Sequence, residues 1–135
     1  MDTHRKLIHT TFIAIRWGDM DAYRHVNNTV YFRYMEQARV EWLEGIGYVC
    51  NSDQEAPVII NAQCTFLLPL SYPGIVEVKL FTGHAGRSSV PTYYELRLEG
   101  DERLCAEGAA KMVWMNPDTG KSVPLPEALR KLVAD

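Results

Sequence analysis

The feature that most constrains this fold is a change of hydrophobic period that occurs once, near Asn28, and reverses after Gly45. Between these positions Val30, Tyr31, Tyr34, Met35, Ala38 and Trp42 recur at spacings of three and four, which predicts one long amphipathic helix. Phe32, Val40 and Leu43 broaden the apolar stripe, and Arg33, Gln37 and Glu44 keep only a narrow polar face. So wide a stripe predicts a helix largely enclosed by other elements. Asn27 or Asn28 is a suitable N-cap, and Gly45 or Gly47 a suitable stop.

On either side of the helix the period is two. Leu7–Trp17 predicts a strand, with Thr11, Ile13, Ile15 and Trp17 on one face and Phe12, Ala14 and Arg16 on the other. Pro57–Leu68 predicts a second, with Val58, Ile60, Ala62, Cys64 and Phe66 sharing a face opposite Asn61, Gln63 and Thr65. Ile75–Thr82 follows the turn "SYPG". A strand through Val90, Thr92, Tyr94, Leu96 and Leu98 then leads to the hairpin signal "EGDER", and Arg103–Met115 alternates again. A short helix is expected near Pro126–Val133, with Pro126 in its first turn.

Strand, one long helix and four strands joined by short turns argue for an antiparallel sheet, across which the helix buries its stripe. The expected class is α+β, one domain over residues 1–135. With 47% hydrophobic and 23% charged residues, such a chain can bury a core. A net charge of −3 argues against a broad nucleic-acid or anionic-membrane surface, and no apolar run is long enough to span a bilayer. Cys50, Cys64 and Cys105 are odd in number and form no CxxC pair, which favours reduced thiols and a cytoplasmic setting. His4, His9, His25 and His84 are scattered without metal-ligand spacing, so no metal site is expected.

The stretch "RWGDMDAYRHVNNTVYF" concentrates polar residues at the junction of the first strand and the long helix. A helix start offers unpaired N–H groups and a partial positive charge. A carbonyl oxygen resting there would be polarised, and a nearby carboxylate could attack the carbonyl carbon or activate a water, a kit sufficient for acyl transfer. Aspartate and asparagine are equally the residues of turns and caps, and on residue type and spacing alone that plainer reading is the better one. "GHAGRSSV" could hold phosphate through N–H groups, hydroxyls and Arg87, yet it matches no P-loop and by itself reads as a hairpin loop.

Taken as a whole string, "RWGDMDAYRHVNNTVYFRYMEQARVEWL" resembles the signature of the acyl-CoA thioesterases of the 4-hydroxybenzoyl-CoA thioesterase family, within the hot-dog fold superfamily. The matching positions are Trp17, Asp19, Asp21, His25, Val26, Asn27, Asn28, Tyr31, Tyr34, Glu36, Ala38 and Arg39, and the likeness continues through "GRSS" to "NPDTGKSVPLPEALRKL". The resemblance implies a curved antiparallel sheet of about five strands wrapped around one long helix. It implies that Asp21 is the catalytic carboxylate, nucleophile or general base, and that the Asn28 backbone N–H is the oxyanion donor. Asp19 would shape the turn, with His25 a lesser catalytic candidate. Glu36 and Arg39 would hold the helix or line a subunit interface. Arg87, Ser88 and Ser89 would contact the phosphates or pantetheine of CoA, which is part of the substrate; no cofactor is implied. Homodimers or homotetramers with interfacial active sites are expected. Two positions depart from the pattern: Arg24 stands where glycine is frequent, and Tyr23 replaces the first asparagine of the D-x-N-x-H-V-N-N of acyl-ACP thioesterases. An acyl-ACP thioesterase and a non-catalytic acyl-CoA-binding protein are the alternatives.

Overall fold

The structure, a computed structural model, describes residues 4–48 and 55–133. Cys50 lies outside the described residues. Strand β1 (Lys6–Ala14) leads through a 3₁₀ turn (Trp17–Asp19) into helix α1 (Asn28–Gly45). Strands β2 (Ala56–Phe66), β3 (Ile75–Thr82), β4 (Ser89–Leu98) and β5 (Ala106–Met115) follow, and helix α2 (Glu127–Val133) ends the described chain. The strands form one antiparallel sheet in the order β1-β3-β4-β5-β2, which leaves β1 and β2 at its edges. This is the expected α+β class, with a second, short helix beside the long one.

Helix α1 covers the span that its period predicts, because each of its ends has local chemistry to hold it. The Asn27 side chain accepts the Thr29 N–H at the start. At the finish Gly47 takes φ +92°, and the N–H groups of Gly47 and Tyr48 close back on Glu44 and Leu43. Tyr31, Tyr34, Met35, Ala38, Trp42 and Leu43 are buried. They meet the inner face of the sheet: Val76, Val78 and Leu80 of β3, Val90, Tyr94 and Leu96 of β4, and Ala106, Ala110, Met112 and Trp114 of β5. The Met35 side chain lies against Gly108 of β5, where a Cβ would overlap its thioether. Enclosure is only partial, since Arg33, Glu36, Gln37, Val40 and Glu44 remain exposed on the far side.

A buried polar chain fixes the helix over the sheet. Thr92 Oγ1 donates to Ala110 O at 2.7 Å, so the Tyr94 hydroxyl, 2.7 Å away, donates to Thr92 and accepts from Arg39 at 3.1 Å. Arg39 therefore holds the helix, as one of its two expected roles required.

Three strand expectations need correction. The first strand ends at Ala14 rather than Trp17; the 3₁₀ turn takes over, and Trp17 is 76% exposed. In β2 a bulge falls between Ile59 and Asn61 in the pairing with β5. One extra residue reverses the alternation. Ile59 packs on the core, while Val58 and Ile60 point outward, away from the face of Ala62, Cys64 and Phe66. The fifth strand also starts later than Arg103, because Asp101 caps the Arg103 N–H and grips its side chain in the turn.

Candidate active site

The two aspartates of the junction are placed differently. Asp19 closes the 3₁₀ turn: its Oδ2 accepts the Arg16 N–H at 2.9 Å and the Tyr34 hydroxyl at 2.8 Å. Its carbonyl accepts the Asn27 N–H, also at 2.9 Å. That single residue ties the end of β1 to the start and the second turn of α1. Burial first, and then the bond to the Asp19 carboxylate, raises the Tyr34 hydroxyl above its ordinary value of 10.0, so it stays a donor.

Asp21 begins a tight turn. Its N–H donates to His25 O and its carbonyl accepts from Arg24, both at 3.0 Å. Oδ1 accepts the Tyr23 N–H at 2.8 Å. Among the described residues Oδ2 has only the Asn27 side-chain amide, at 3.5 Å. The turn needs a left-handed residue, and Arg24 supplies it at φ +67°. This explains physically why glycine is frequent there: an L side chain in that region costs roughly 1–2 kcal/mol. Ser71 Oγ, donating to Arg24 O at 3.2 Å, helps to hold it.

The start of α1 is only partly capped. Asn27 Oδ1 takes the Thr29 N–H, and Asn27 O takes that of Val30. The Asn28 N–H makes no hydrogen bond within the described chain, and it carries the positive end of an 18-residue helix. Asn28 and His25 line one open pocket of about 290 Å³ with Val26, Tyr31, Phe66 and the 67–69 segment. Asp21 is not part of that lining; it stands beside Asn27, one residue before the free N–H. The arrangement thus combines an incompletely hydrogen-bonded carboxylate, an unspent N–H at a helix start and a concave apolar wall.

The second predicted group is not brought to this place within one chain. Because β1 and β3 are antiparallel, Ala14 pairs with Ile75 at the end near the junction, and Lys6 with Thr82 at the other. Arg87, Ser88 and Ser89 follow Thr82 and enter β4, so they sit at the opposite end of the sheet. Their backbone is pinned: Arg130 donates to Gly86 O and Arg87 O, Leu125 N–H to Arg87 O, and Trp114 N–H to Ser88 O. The side chains of Arg87, Ser88 and Ser89 make no hydrogen bond within the described chain.

Two contributors carried no sequence signal. The 67–69 segment walls the pocket because the next residue is anchored: Tyr31 Oη accepts the Leu70 N–H and Leu70 O accepts the Val26 N–H. Arg130 reaches a loop more than 40 residues away from a seven-residue helix, a contact that no local pattern encodes.

Residues 15–133 match the family model of the thioesterase-like superfamily. Among solved structures, a candidate thioesterase from Pseudomonas aeruginosa is 39% identical, with a TM-score of 0.91 over 96% of this chain and 100% of that one. A candidate acyl-CoA thioesterase from Xanthomonas campestris is 36% identical, with a TM-score of 0.75 over 81% of this chain and 93% of that one. A 1,4-dihydroxy-2-naphthoyl-CoA thioesterase from Synechocystis, at 18% identity, shares the fold with a TM-score of 0.86 over 93% of this chain and 94% of that one.

Proposed function

The chain belongs to the thioesterase-like superfamily of hot-dog folds, and on that premise we propose that it hydrolyses an acyl-CoA to the free acid and CoA. The observation that carries this reading is the Asn28 N–H, unspent at the start of α1 beside the Asp21 carboxylate. The acyl carbonyl oxygen rests on that N–H, which strengthens its hold as negative charge develops. Asp21 attacks the carbonyl carbon or takes the proton of an attacking water. Either way the C–S bond breaks, CoA leaves as the thiolate and takes up a proton, and water supplies the acid's second oxygen. His25, on the pocket rim, is a lesser candidate for proton transfer. No resident metal or cofactor enters the scheme.

The reading includes a second copy of the chain. Among the described residues strand β2 pairs only with β5, and along its free edge Val58, Ile60 and Phe66 are exposed. An eleven-residue edge strand with these exposed apolar side chains favours pairing with another strand. In an antiparallel pairing about a two-fold axis, the Phe66 end of one β2 meets the Ala56 end of the other. Ser89 pairs with Val113, and Val113 with Val58, so residues 87–89 belong to the Ala56 end. The two-fold therefore sets the 87–89 segment of one copy at the end where the other copy holds Asp21 and Asn28. CoA spans the two: thioester at the junction of one copy, phosphates or pantetheine at Arg87, Ser88 and Ser89 of the other. A cytoplasmic location, where CoA and reduced thiols coexist, suits the scheme.

Release of free CoA thiol from short, medium, long and aromatic acyl-CoAs, with acyl-ACP in parallel, tests the proposal. Turnover of an acyl-CoA supports it, and turnover of acyl-ACP alone assigns the carrier instead. Binding of acyl-CoA without turnover of any thioester would identify a binding protein and overturn the enzymatic reading.

A further inference from the structure

Three tyrosine hydroxyls lie inside this protein, and two of them have committed their protons to hydrogen bonds. Tyr34 donates to Asp19 Oδ2, and Tyr94 donates to Thr92, whose own proton goes to Ala110 O. Tyr31 differs. Its oxygen accepts the Leu70 N–H at 3.2 Å, and a backbone N–H can only donate, so the Tyr31 hydroxyl proton is still available. No acceptor within the described chain takes it. The neighbouring Cys64 and Cys105 thiols influence the group electrostatically without hydrogen bonding to it.

The place of this proton matters. Tyr31 is three residues beyond Asn28, hence on the same side of the helix one turn on. Helical side chains lean back toward the N-terminus, which carries the phenol toward the free N–H. Both residues line the same pocket, where the Tyr31 ring is 2% exposed and packs edge-on against Phe66 with centroids 4.9 Å apart. Burial raises its pKa above the ordinary value of 10.0, which favours the protonated hydroxyl. A buried O–H with no acceptor is costly, and an acceptor arriving in the pocket relieves that cost.

We propose that the Tyr31 hydroxyl is a second donor to the acyl carbonyl oxygen, completing with the Asn28 N–H a two-donor oxyanion site. This rests on the thioesterase reading above. The bond to Leu70 serves the same end, because it fixes the oxygen and leaves the proton one direction to point. No bond to the proton breaks in this role; the hydroxyl stabilises negative charge while Asp21 or water adds to the carbon and keeps its proton when CoA leaves.

The test is made on the full-length protein with the acyl-CoA it turns over fastest. Tyr31→Phe keeps the ring against Phe66 and removes the donor; kcat should fall about 10²-fold, the scale of losing one oxyanion donor, with KM within about threefold. Site-specific replacement of Tyr31 by 3-fluorotyrosine separates donation from support of the loop. Fluorine makes the hydroxyl a better donor and a poorer acceptor, so kcat rises if the proton reaches the substrate and falls if the oxygen only holds Leu70. A fall in kcat on fluorination, or an unchanged kcat in Tyr31→Phe, overturns the donor role while leaving the thioesterase reading intact. A wild-type protein that releases CoA from no thioester overturns that reading and this donor together.

Discussion

The two ends of the sheet solve opposite problems. At the junction end, residues 16–28, side chains are spent on the backbone: Asp19 holds Arg16 and Tyr34, Asn27 caps Thr29, and Asp21 Oδ1 closes its own turn. At the far end, residues 83–89, the backbone is held by others, Arg130, Leu125 and Trp114, and the side chains of Arg87, Ser88 and Ser89 are left over. The first arrangement fixes a few atoms rigidly and leaves free one N–H and most of one carboxylate oxygen. The second anchors a loop and presents flexible polar groups outward. The contrast suits a reacting centre at one end and a grip on a large polar handle at the other, and it orders the expected effects of substitution.

The largest effect belongs to Asp21. Asp21→Asn should lower kcat about 10²–10⁴-fold, the usual scale for a positioned acid–base or nucleophilic group, and leave thermal midpoint and oligomer mass unchanged. Unfolding instead would reduce Asp21 to a turn residue. Next comes Ile60→Glu on the free β2 edge, which should lower the mass measured by light scattering to that of one chain and abolish turnover in step. Full activity in single chains would break the claim that the two ends meet across copies.

Stability should follow the other aspartate. Asp19→Ala removes the partner of the Tyr34 hydroxyl and of the Arg16 N–H, and should cost about 2 kcal/mol in denaturant unfolding. The accompanying pH effect has a definite sign. Since the folded Tyr34 holds its proton more tightly than the unfolded one, its contribution is whole below pH 10 and is lost as pH rises further. Tyr34→Phe should flatten that alkaline decline, and an unchanged slope would show that another group causes it. The smallest effect is that of Arg87→Ala, about two- to fivefold in KM for acyl-CoA with kcat unchanged, as for a solvent-exposed charge contact. On the matching S-acyl pantetheine, which lacks the nucleotide phosphates, this penalty should vanish if Arg87 holds them.

Local periodicity explains what could be read in advance. Helix α1 was legible over Asn28–Gly45 because apolar spacing, an asparagine cap and a left-handed Gly47 agree. β3 and β4 were legible because their faces alternate without interruption. β2 departs from its simple alternation at Val58 and Ile60 because a bulge adds a residue without leaving a mark in composition. The polar junction was legible as a place, yet the division between Asp19 and Asp21 depends on Tyr34, fifteen residues beyond Asp19. The separation of "GRSS" from the junction is a property of antiparallel order, invisible in either motif alone.

The most direct test is a crystal structure with a non-hydrolysable acyl-CoA ketone, in which CH₂ replaces the thioester sulfur. The account predicts the ketone oxygen on the Asn28 N–H, with the Asp21 carboxylate facing its carbon, while the phosphates or pantetheine lie against Arg87, Ser88 or Ser89 of the second copy. A ketone bound away from Asn28, or CoA held at both ends by one chain, would contradict it.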